Sequence, residues 1–255
     1  MKFIQSIGAG PDQFDRNLLR RRGVRLASAQ GVNERAVSQH AMALILAMAR
    51  RLPEARDNQA KHAWRGMISD LARREDELTG KTLVIIGLGR IGGRLAGLAK
   101  AFGMEVLGVR RDPVAGANGA DSVHRLDRLP ELLPRADFVA LTCPLNSETQ
   151  NIIDSGALAR MKRSAVLVNC ARGRCVDEAA LIVALQLQEI SAAALDVTAE
   201  EPLAPSSPLW DMPNVLITPH TAGETRSYET NVVDILIENL ERLLRGETTL
   251  RNQVV

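Results

Sequence analysis

Four side chains that could do chemistry follow short apolar runs in the second half of the chain. Arg172 comes just after Val166–Asn169, within Cys170-Ala171-Arg172-Gly173. Asp196 follows Ala192–Leu195, with Glu201-Pro202 shortly beyond, and His220 follows Val215–Thr218 and Pro219. If those runs are parallel strands of one sheet, the residues past their carboxyl ends share the rim where such sheets bind ligands. A guanidinium offers a planar fork of donors that can hold a carboxylate and polarise a carbonyl, which a lysine does less well. An imidazole titrates near neutrality and can hand a proton to a forming alkoxide. A carboxylate beside that imidazole favours its charged form and fixes its tautomer. Together these groups suit hydride transfer to the ketone of a 2-oxo acid, with a nicotinamide cofactor supplying the hydride. Taken singly, each has a plainer reading as a surface charge, a turn residue after proline or a soluble loop carboxylate. Their joint placement separates them from those readings.

A dinucleotide site is written earlier, over Thr82–Gly92, TLVIIGLGRIG. The apolar run Leu83–Ile86 ends at Gly87, and Gly87-x-Gly89-x-x-Gly92 leads into Ile91, Leu95, Leu98, Ala99 and Phe102 at helical spacing. Strand, tight turn and helix in that order give the glycine pattern its meaning. Gly87 permits the turn, Gly89 lets a pyrophosphate approach the backbone, and Gly92 lets helix and strand pack closely. The first amides of the helix face the diphosphate.

The remaining elements must position these groups. Lys2–Ile7 reads as a short strand broken at Gly8-Ala9-Gly10-Pro11, Asp15–Arg22 as a helix stopped by Gly23, and Val24–Ala27 as a second short strand. Val37–Arg50 is apolar nearly all round and reads as a helix crossing between two domains, or as a core helix of one. Glu54–Glu77 is charged and carries Trp64 without a clear stripe, which suggests an arm, a linker or a subunit contact. From Lys81 the rhythm is β-α-β. Strands are expected at Glu105–Val109, Phe138–Thr142, Ala165–Asn169, Ala192–Leu195 and Val215–Thr218. Helices are expected at Leu126–Leu133 (interrupted by Pro130), Ser155–Met161 and Asp177–Gln186, the last capped by Asp177. Such alternation implies a parallel sheet with helices on both faces. Val232, Ile235, Leu236, Leu240, Leu243 and Leu244 form a stripe on a final helix expected to return to the N-terminal segment.

Composition narrows the class. The 255 residues suit one large domain or two modest ones, and 45% apolar with 24% charged is ordinary for a globular chain. A net charge of +2 argues against nucleic acid as the main partner. Cys143, Cys170 and Cys175 show no C-x-x-C and no zinc spacing, so no metal is expected and the thiols read as reduced, in a cytoplasmic protein. Cys143 follows a strand and could line the nicotinamide pocket, but as a lone thiol it reads as buried and inert. The longest apolar block, Ala41–Ala49, is too short to span a bilayer, so no membrane is expected.

The chain resembles the D-isomer-specific 2-hydroxyacid dehydrogenase family. The resemblance is carried in order by GAGPDQFD (Gly8–Asp15), GKTLVIIGLGRIG (Gly80–Gly92), LTCPLNSET (Leu141–Thr149), VNCARG (Val168–Gly173), ALDVTAEEPL (Ala194–Leu203) and TPHTAG (Thr218–Gly223). It implies an α/β fold: a Rossmann-like, doubly wound parallel sheet plus an incomplete flavodoxin-like substrate domain, usually as a homodimer. Residues 1–40 would be part of the substrate domain, 41–221 the dinucleotide-binding domain, and 222–255 the helix returning to the former. The family's catalytic arginine matches Arg172, its acid/base histidine His220, the carboxylate paired with it Glu201, and the aspartate holding the nicotinamide carboxamide Asp196. Backbone amides near Ala9 and Gly10 match the loop that grips the substrate carboxylate. The expected cofactor contacts are Gly87, Gly89, Arg90, Ile91, Gly92, Arg110, Arg111, Cys143, Pro144 and Asp196. The implied substrates are small 2-oxo or D-2-hydroxy acids such as glyoxylate or hydroxypyruvate. A dinucleotide-sensing, corepressor-like protein and an incomplete enzyme that binds cofactor without turnover are the alternatives.

Two departures stand out. Family members carry several tens of residues ahead of the strand that here begins at Lys2. If Met1 is the start, the Lys2–Ile7 edge is exposed, and low stability and weak activity are expected. NAD-preferring relatives also carry an acid at the end of the second strand. Here Arg110 and Arg111 follow Val109, with Asp112 next. An arginine there suits a 2′-phosphate, so NADP is expected over NAD.

Overall fold

The unbroken apolar runs of this chain need cover on both faces, and the strands receive it. The computed structural model describes residues 1–10, 13–71 and 74–255. Pro11 and Asp12 of the Gly8–Asp15 motif, and Ala72 and Arg73 of the Glu54–Glu77 stretch, lie outside the described residues. The chain divides into two compact units: Val37–Ala222, and Met1–Ala36 together with Gly223–Val255.

The smaller unit holds β1 (Phe3–Gln5), α1 (Arg16–Arg21) and β2 (Arg25–Ala27), with β1 and β2 paired in parallel. Asp15 caps α1 by accepting from the amide of Leu18. The C-terminal tail lies antiparallel against β2, where the Val254 amide donates to the Leu26 carbonyl at 2.7 Å and the Ser28 amide to that of Asn252 at 3.0 Å. The last helix of the chain, Tyr228–Leu244, buries Val232, Ile235 and Asn239. The Tyr228 hydroxyl donates to the Ile7 carbonyl at 2.6 Å, and the Asn239 amide to Gln5 Oε1 at 2.9 Å. Leu240 and Leu244, expected in the apolar stripe, are exposed. Asn239 takes the inward position instead, because it also receives the Arg251 backbone amide at 2.7 Å.

The larger unit begins within α2 (Glu34–Ala49), whose buried Val37, Ala41, Met42, Leu44, Ile45 and Ala49 belong to this unit's core. It continues through α3 (Leu52–Ala60), β3 (Thr82–Ile86), α4 (Arg90–Ala101), β4 (Glu105–Val109), β5 (Ser122–His124), α5 (Leu129–Leu132), β6 (Phe138–Leu141), α6 (Ser155–Arg160), β7 (Val166–Asn169), α7 (Glu178–Gln186), β8 (Ala192–Leu195) and β9 (Val215–Ile217). The helix Tyr228–Leu244 of the smaller unit is α8. All seven strands are parallel, in the order β5-β4-β3-β6-β7-β8-β9. Side chains alternate between two cores: Leu83 and Ile85 of β3 meet α2 and α4, while Val84 and Ile86 join the core that holds Leu158 of α6 and Leu181 of α7. The expected doubly wound α/β sheet is therefore present.

Several elements differ from the sequence reading. The Glu54–Glu77 stretch, read as an arm, a linker or a subunit contact, begins as helix α3, which buries no residue and so leaves no apolar stripe to read. Strand β5 is an edge strand of three residues without an apolar run, so no periodic pattern marks it in the sequence. Leu126–Leu133 is not one helix but a series of short turns around α5. Pro130 sits in the first turn of α5, where a missing amide costs nothing. Phe102 ends α4 as an exposed cap residue rather than joining its buried face.

Candidate active site

Strand order reverses beside β3, whose neighbours are β4 and β6. This is the switch point at which doubly wound sheets leave a crevice. Gly87 sits there with φ +102°, and a Cβ on it would lie 2.5 Å from the Cys143 amide nitrogen at the end of β6. Neither the backbone conformation nor the space admits a side chain. A Cβ on Gly92 would lie 2.5 Å from the Gly87 carbonyl and 3.1 Å from Ile85, so α4 packs directly on β3. Gly89, the N-cap of α4, faces open space, since a Cβ there would meet nothing within 4 Å. Arg90 is exposed and Ile91 half-buried in the first turn of α4.

Glu201 and His220 meet. The imidazole Nδ1 lies 2.6 Å from Glu201 Oε2. A carboxylate only accepts, so Nδ1 carries the hydrogen and Nε2 is left as the nitrogen that can exchange a proton with a ligand. His220 adopts φ +56°, and its amide donates to the Asp196 carbonyl at 2.8 Å. The other Glu201 oxygen accepts the Thr198 amide at 3.2 Å. Glu201-Pro202 is a cis peptide.

Arg172 is half-buried on the turn after β7. Asn169, almost wholly buried, fixes that turn from both sides: its carbonyl oxygen accepts the Ala171 amide at 3.0 Å, and its amide donates to the Arg172 carbonyl at 3.1 Å. Gly173 then presses against the loop that carries Glu201, where a Cβ would lie 1.8 Å from the Thr198 carbonyl. A continuous line of contacts thus runs from Gly87 to Cys143, across to Cys175 and the Arg172 turn, then through Gly173 and Thr198 to Glu201 and His220.

Asp196 is buried and heavily used. Its Oδ1 accepts from the Thr218 hydroxyl at 2.6 Å and from the amides of Thr221 and Ala222 at 3.0 and 3.2 Å. His40 on α2 completes the cluster, with Nε2 2.9 Å from Thr218 Oγ1. The carboxylate therefore braces the turn that holds His220. Asn169, Gly173, Thr198, His40 and Thr218 were all missed in the sequence. His40 stands inside a helix with no motif around it, and the others carry no chemistry of their own.

At the ribose end, Arg110 directly follows β4, and its guanidinium donates to the Gly116 carbonyl at 3.4 Å. Arg111 is exposed and paired with Glu148 at 3.1 Å. Asp112 is occupied as a local cap, accepting the Val114 amide at 3.0 Å. Pro144, exposed after Cys143, accepts the Thr149 hydroxyl at 2.6 Å. Ala9 and Gly10 belong to the smaller unit, in the half-buried bend after β1.

Residues 42–222 match the family described as "D-isomer specific 2-hydroxyacid dehydrogenase, NAD binding domain". The chain belongs to the D-isomer-specific 2-hydroxyacid dehydrogenase family. It is 39% identical over 250 residues to the D-3-phosphoglycerate dehydrogenase of Methanocaldococcus jannaschii, covering 97% of this chain and 46% of the relative. It is 36% identical over 254 residues to the glyoxylate reductase of Korarchaeum cryptofilum, covering 97% and 74%. The crystal structure of a D-isomer specific 2-hydroxyacid dehydrogenase from Xanthobacter autotrophicus Py2, in complex with NADPH and MES, superposes with a TM-score of 0.83 at 31% identity, covering 100% of this chain and 78% of that one. The chain spans about half the length of the phosphoglycerate dehydrogenases of Methanocaldococcus jannaschii, Synechocystis and Archaeoglobus fulgidus that it matches. The stretch that matches the NAD-binding domain falls within its larger unit.

Proposed function

We propose that the protein transfers a hydride between NAD(P)H and a small 2-oxo acid, forming the D-2-hydroxy acid. The single observation that carries this reading is the 2.6 Å pair of Glu201 and His220, tied through the Arg172 turn to the Gly87 turn. The open space at the α4 N-terminus fits a diphosphate against the first helical amides. When bound, the nicotinamide supplies or takes up the hydride. Arg172 binds the substrate carboxylate and polarises its ketone. His220 gives a proton to the carbonyl oxygen as it becomes an alkoxide, and Glu201 holds the ring in the donating orientation. The family resemblance assigns Asp196, which braces the His220 turn, to the nicotinamide carboxamide as well. The family resemblance alone assigns Ala9 and Gly10 to the substrate.

Arg110, placed at the end of β4 where an acid would repel a 2′-phosphate, favours NADP over NAD. Glyoxylate and hydroxypyruvate are the substrates to try first, since a relative named glyoxylate reductase is covered over 74% of its length. Two copies associate through the segment after α3, where Trp64, Met67 and Leu71 are 99%, 88% and 73% exposed. A purely sensing role has no use for a proton-donating pair. NADPH oxidation in the presence of a panel of 2-oxo acids tests the proposal, with Arg172→Ala expected to abolish turnover and retain cofactor binding. A chain that binds NADPH yet oxidises it with no 2-oxo acid would overturn the enzymatic reading in favour of sensing.

A further inference from the structure

Cys143 and Cys175 stand 32 positions apart in the sequence, yet their sulfurs lie 4.0 Å apart. Cys143 lies two residues past β6 against the Gly87 turn, and Cys175 closes the turn that begins at Arg172, its amide donating to the Arg172 carbonyl at 3.1 Å. Cys143 is 6% exposed and Cys175 fully buried. We infer that these two thiols form a modification site that closes to a disulfide under hydrogen peroxide and, by tying the Arg172 turn to the end of β6, reversibly switches turnover off.

The chemistry is local. The contact with Cys143, the backbone and the Arg172 charge together hold the Cys175 thiol below the usual range. Cys143, as the donor and through burial, is pushed well above it. Cys175 is therefore the nucleophile. Its thiolate attacks one peroxide oxygen, the O–O bond breaks, and hydroxide leaves to become water, giving a sulfenic acid. The Cys143 sulfur then attacks the Cys175 sulfur, the S–S bond forms as the S–O bond breaks, and the departing hydroxide takes the Cys143 proton. Two thiols are oxidised by one electron each, and one peroxide is reduced to two waters. Burial sets the oxidant's class, because a molecule near the size of water can reach sulfurs that an aromatic disulfide reagent cannot.

Closing from 4.0 Å to the disulfide length of about 2 Å moves each sulfur by about 1 Å. The Cys175 backbone is pinned, its carbonyl accepting the Ile153 amide at 3.2 Å. The strain then falls on the turn back to Arg172. A displacement of that order at a substrate-positioning group costs about a hundredfold in rate.

The test treats the full chain with hydrogen peroxide, blocks remaining thiols with an alkylating agent, and maps peptides by mass. A peptide containing Cys143 joined to one containing Cys175 is expected in the unmodified protein and in Cys170→Ala, and absent in Cys143→Ala and Cys175→Ala. Wild-type mapping decides the matter even if a variant fails to fold. Turnover, which rests on the proposed activity, should fall about a hundredfold and return with dithiothreitol. If peroxide leaves both thiols free in the folded protein, or takes them only to sulfinic acid, the modification site is wrong. A disulfide that leaves turnover unchanged overturns the switch. A reduced protein without turnover on any 2-oxo acid counts against the enzymatic reading, and the peptide map still judges the dithiol.

Discussion

His220 Nδ1 and Glu201 Oε2 meet at 2.6 Å across 19 residues of sequence. The contact is set by two separate devices: the φ +56° turn at His220, braced by Asp196, and the loop at Thr198 whose amide fixes the second Glu201 oxygen. A ring held in this way presents Nε2 to a ligand. Replacing His220 with Ala should lower kcat by about 10²–10⁴-fold and leave NADPH binding, read by nicotinamide fluorescence, intact. Glu201→Gln should lower kcat by less, because its carboxamide oxygen can still accept from Nδ1. Equal kcat in His220→Ala and the parent protein would remove the histidine from the chemistry.

Gly173 offers a test of the scaffold rather than of the chemistry. A methyl group there would meet the Thr198 carbonyl at 1.8 Å, backbone against backbone, with no flexible side chain to move aside. Gly173→Ala should destabilise the larger unit by about 1–3 kcal/mol and separate Arg172 from the Glu201 loop. The expected result is a lower Tm together with loss of turnover. An unchanged melting curve would mean that the two loops do not press together in solution.

The β3–turn–α4 segment is legible in the sequence because its run of apolar residues stops at Gly87 and the helical spacing starts at once. The strand-end positions of Arg172, Asp196 and His220 are legible for the same reason. What supports them is not. Gly173 is needed because of Thr198, and Asn169 because of the turn beyond it, and such requirements arise only when distant segments pack. Cys143 alone reads as an inert thiol, and only the adjacency of β6 and β7 gives it a partner. Helix α3 and strand β5 are hidden because neither buries an apolar face, so neither leaves a periodic signal.

Acid should weaken both units. Lys100, donating at 2.7 Å, and the Val106 amide at 2.8 Å hold the Asp121 carboxyl below its ordinary range. Arg251 and Arg242 do the same for Glu238 on α8. A carboxylate whose folded pKa is depressed contributes stability that is complete above its unfolded pKa and lost as pH falls through the folded one. The loss therefore begins below about pH 4. Both groups are partly exposed, so each contributes under about 1 kcal/mol. Thermal melts of Asp121→Asn should show a lower Tm at pH 7 and a shallower decline toward pH 3. Parallel curves for the two proteins would show that this pair is not linked to stability.

The proposed preference for NADP is tested at Arg110. Arg111 is already engaged by Glu148 and Asp112 by its own turn, which leaves Arg110 as the group at the end of β4 best placed for a 2′-phosphate. Losing one charge-assisted contact and adding a repelling carboxylate should raise the KM for NADPH in Arg110→Asp by about ten- to a hundredfold, with little change for NADH. Steady-state kinetics with both cofactors measure this directly. If the unaltered protein uses NADH as well as NADPH, the assignment of Arg110 fails before the variant is made.

Trp64 is the residue on which the proposed self-association is best tested. An indole that is 99% exposed, with Met67 and Leu71 close by in sequence and also exposed, is a large apolar surface to leave in water. Tryptophans at the centre of an interface commonly contribute about 2 kcal/mol or more to association. Trp64→Ser should therefore weaken self-association by about thirtyfold or more, moving the protein toward monomer in light scattering across a dilution series, with its far-ultraviolet dichroism unchanged. If the parent chain is monomeric at all concentrations, or if Trp64→Ser dimerises as tightly, the contact between copies lies elsewhere.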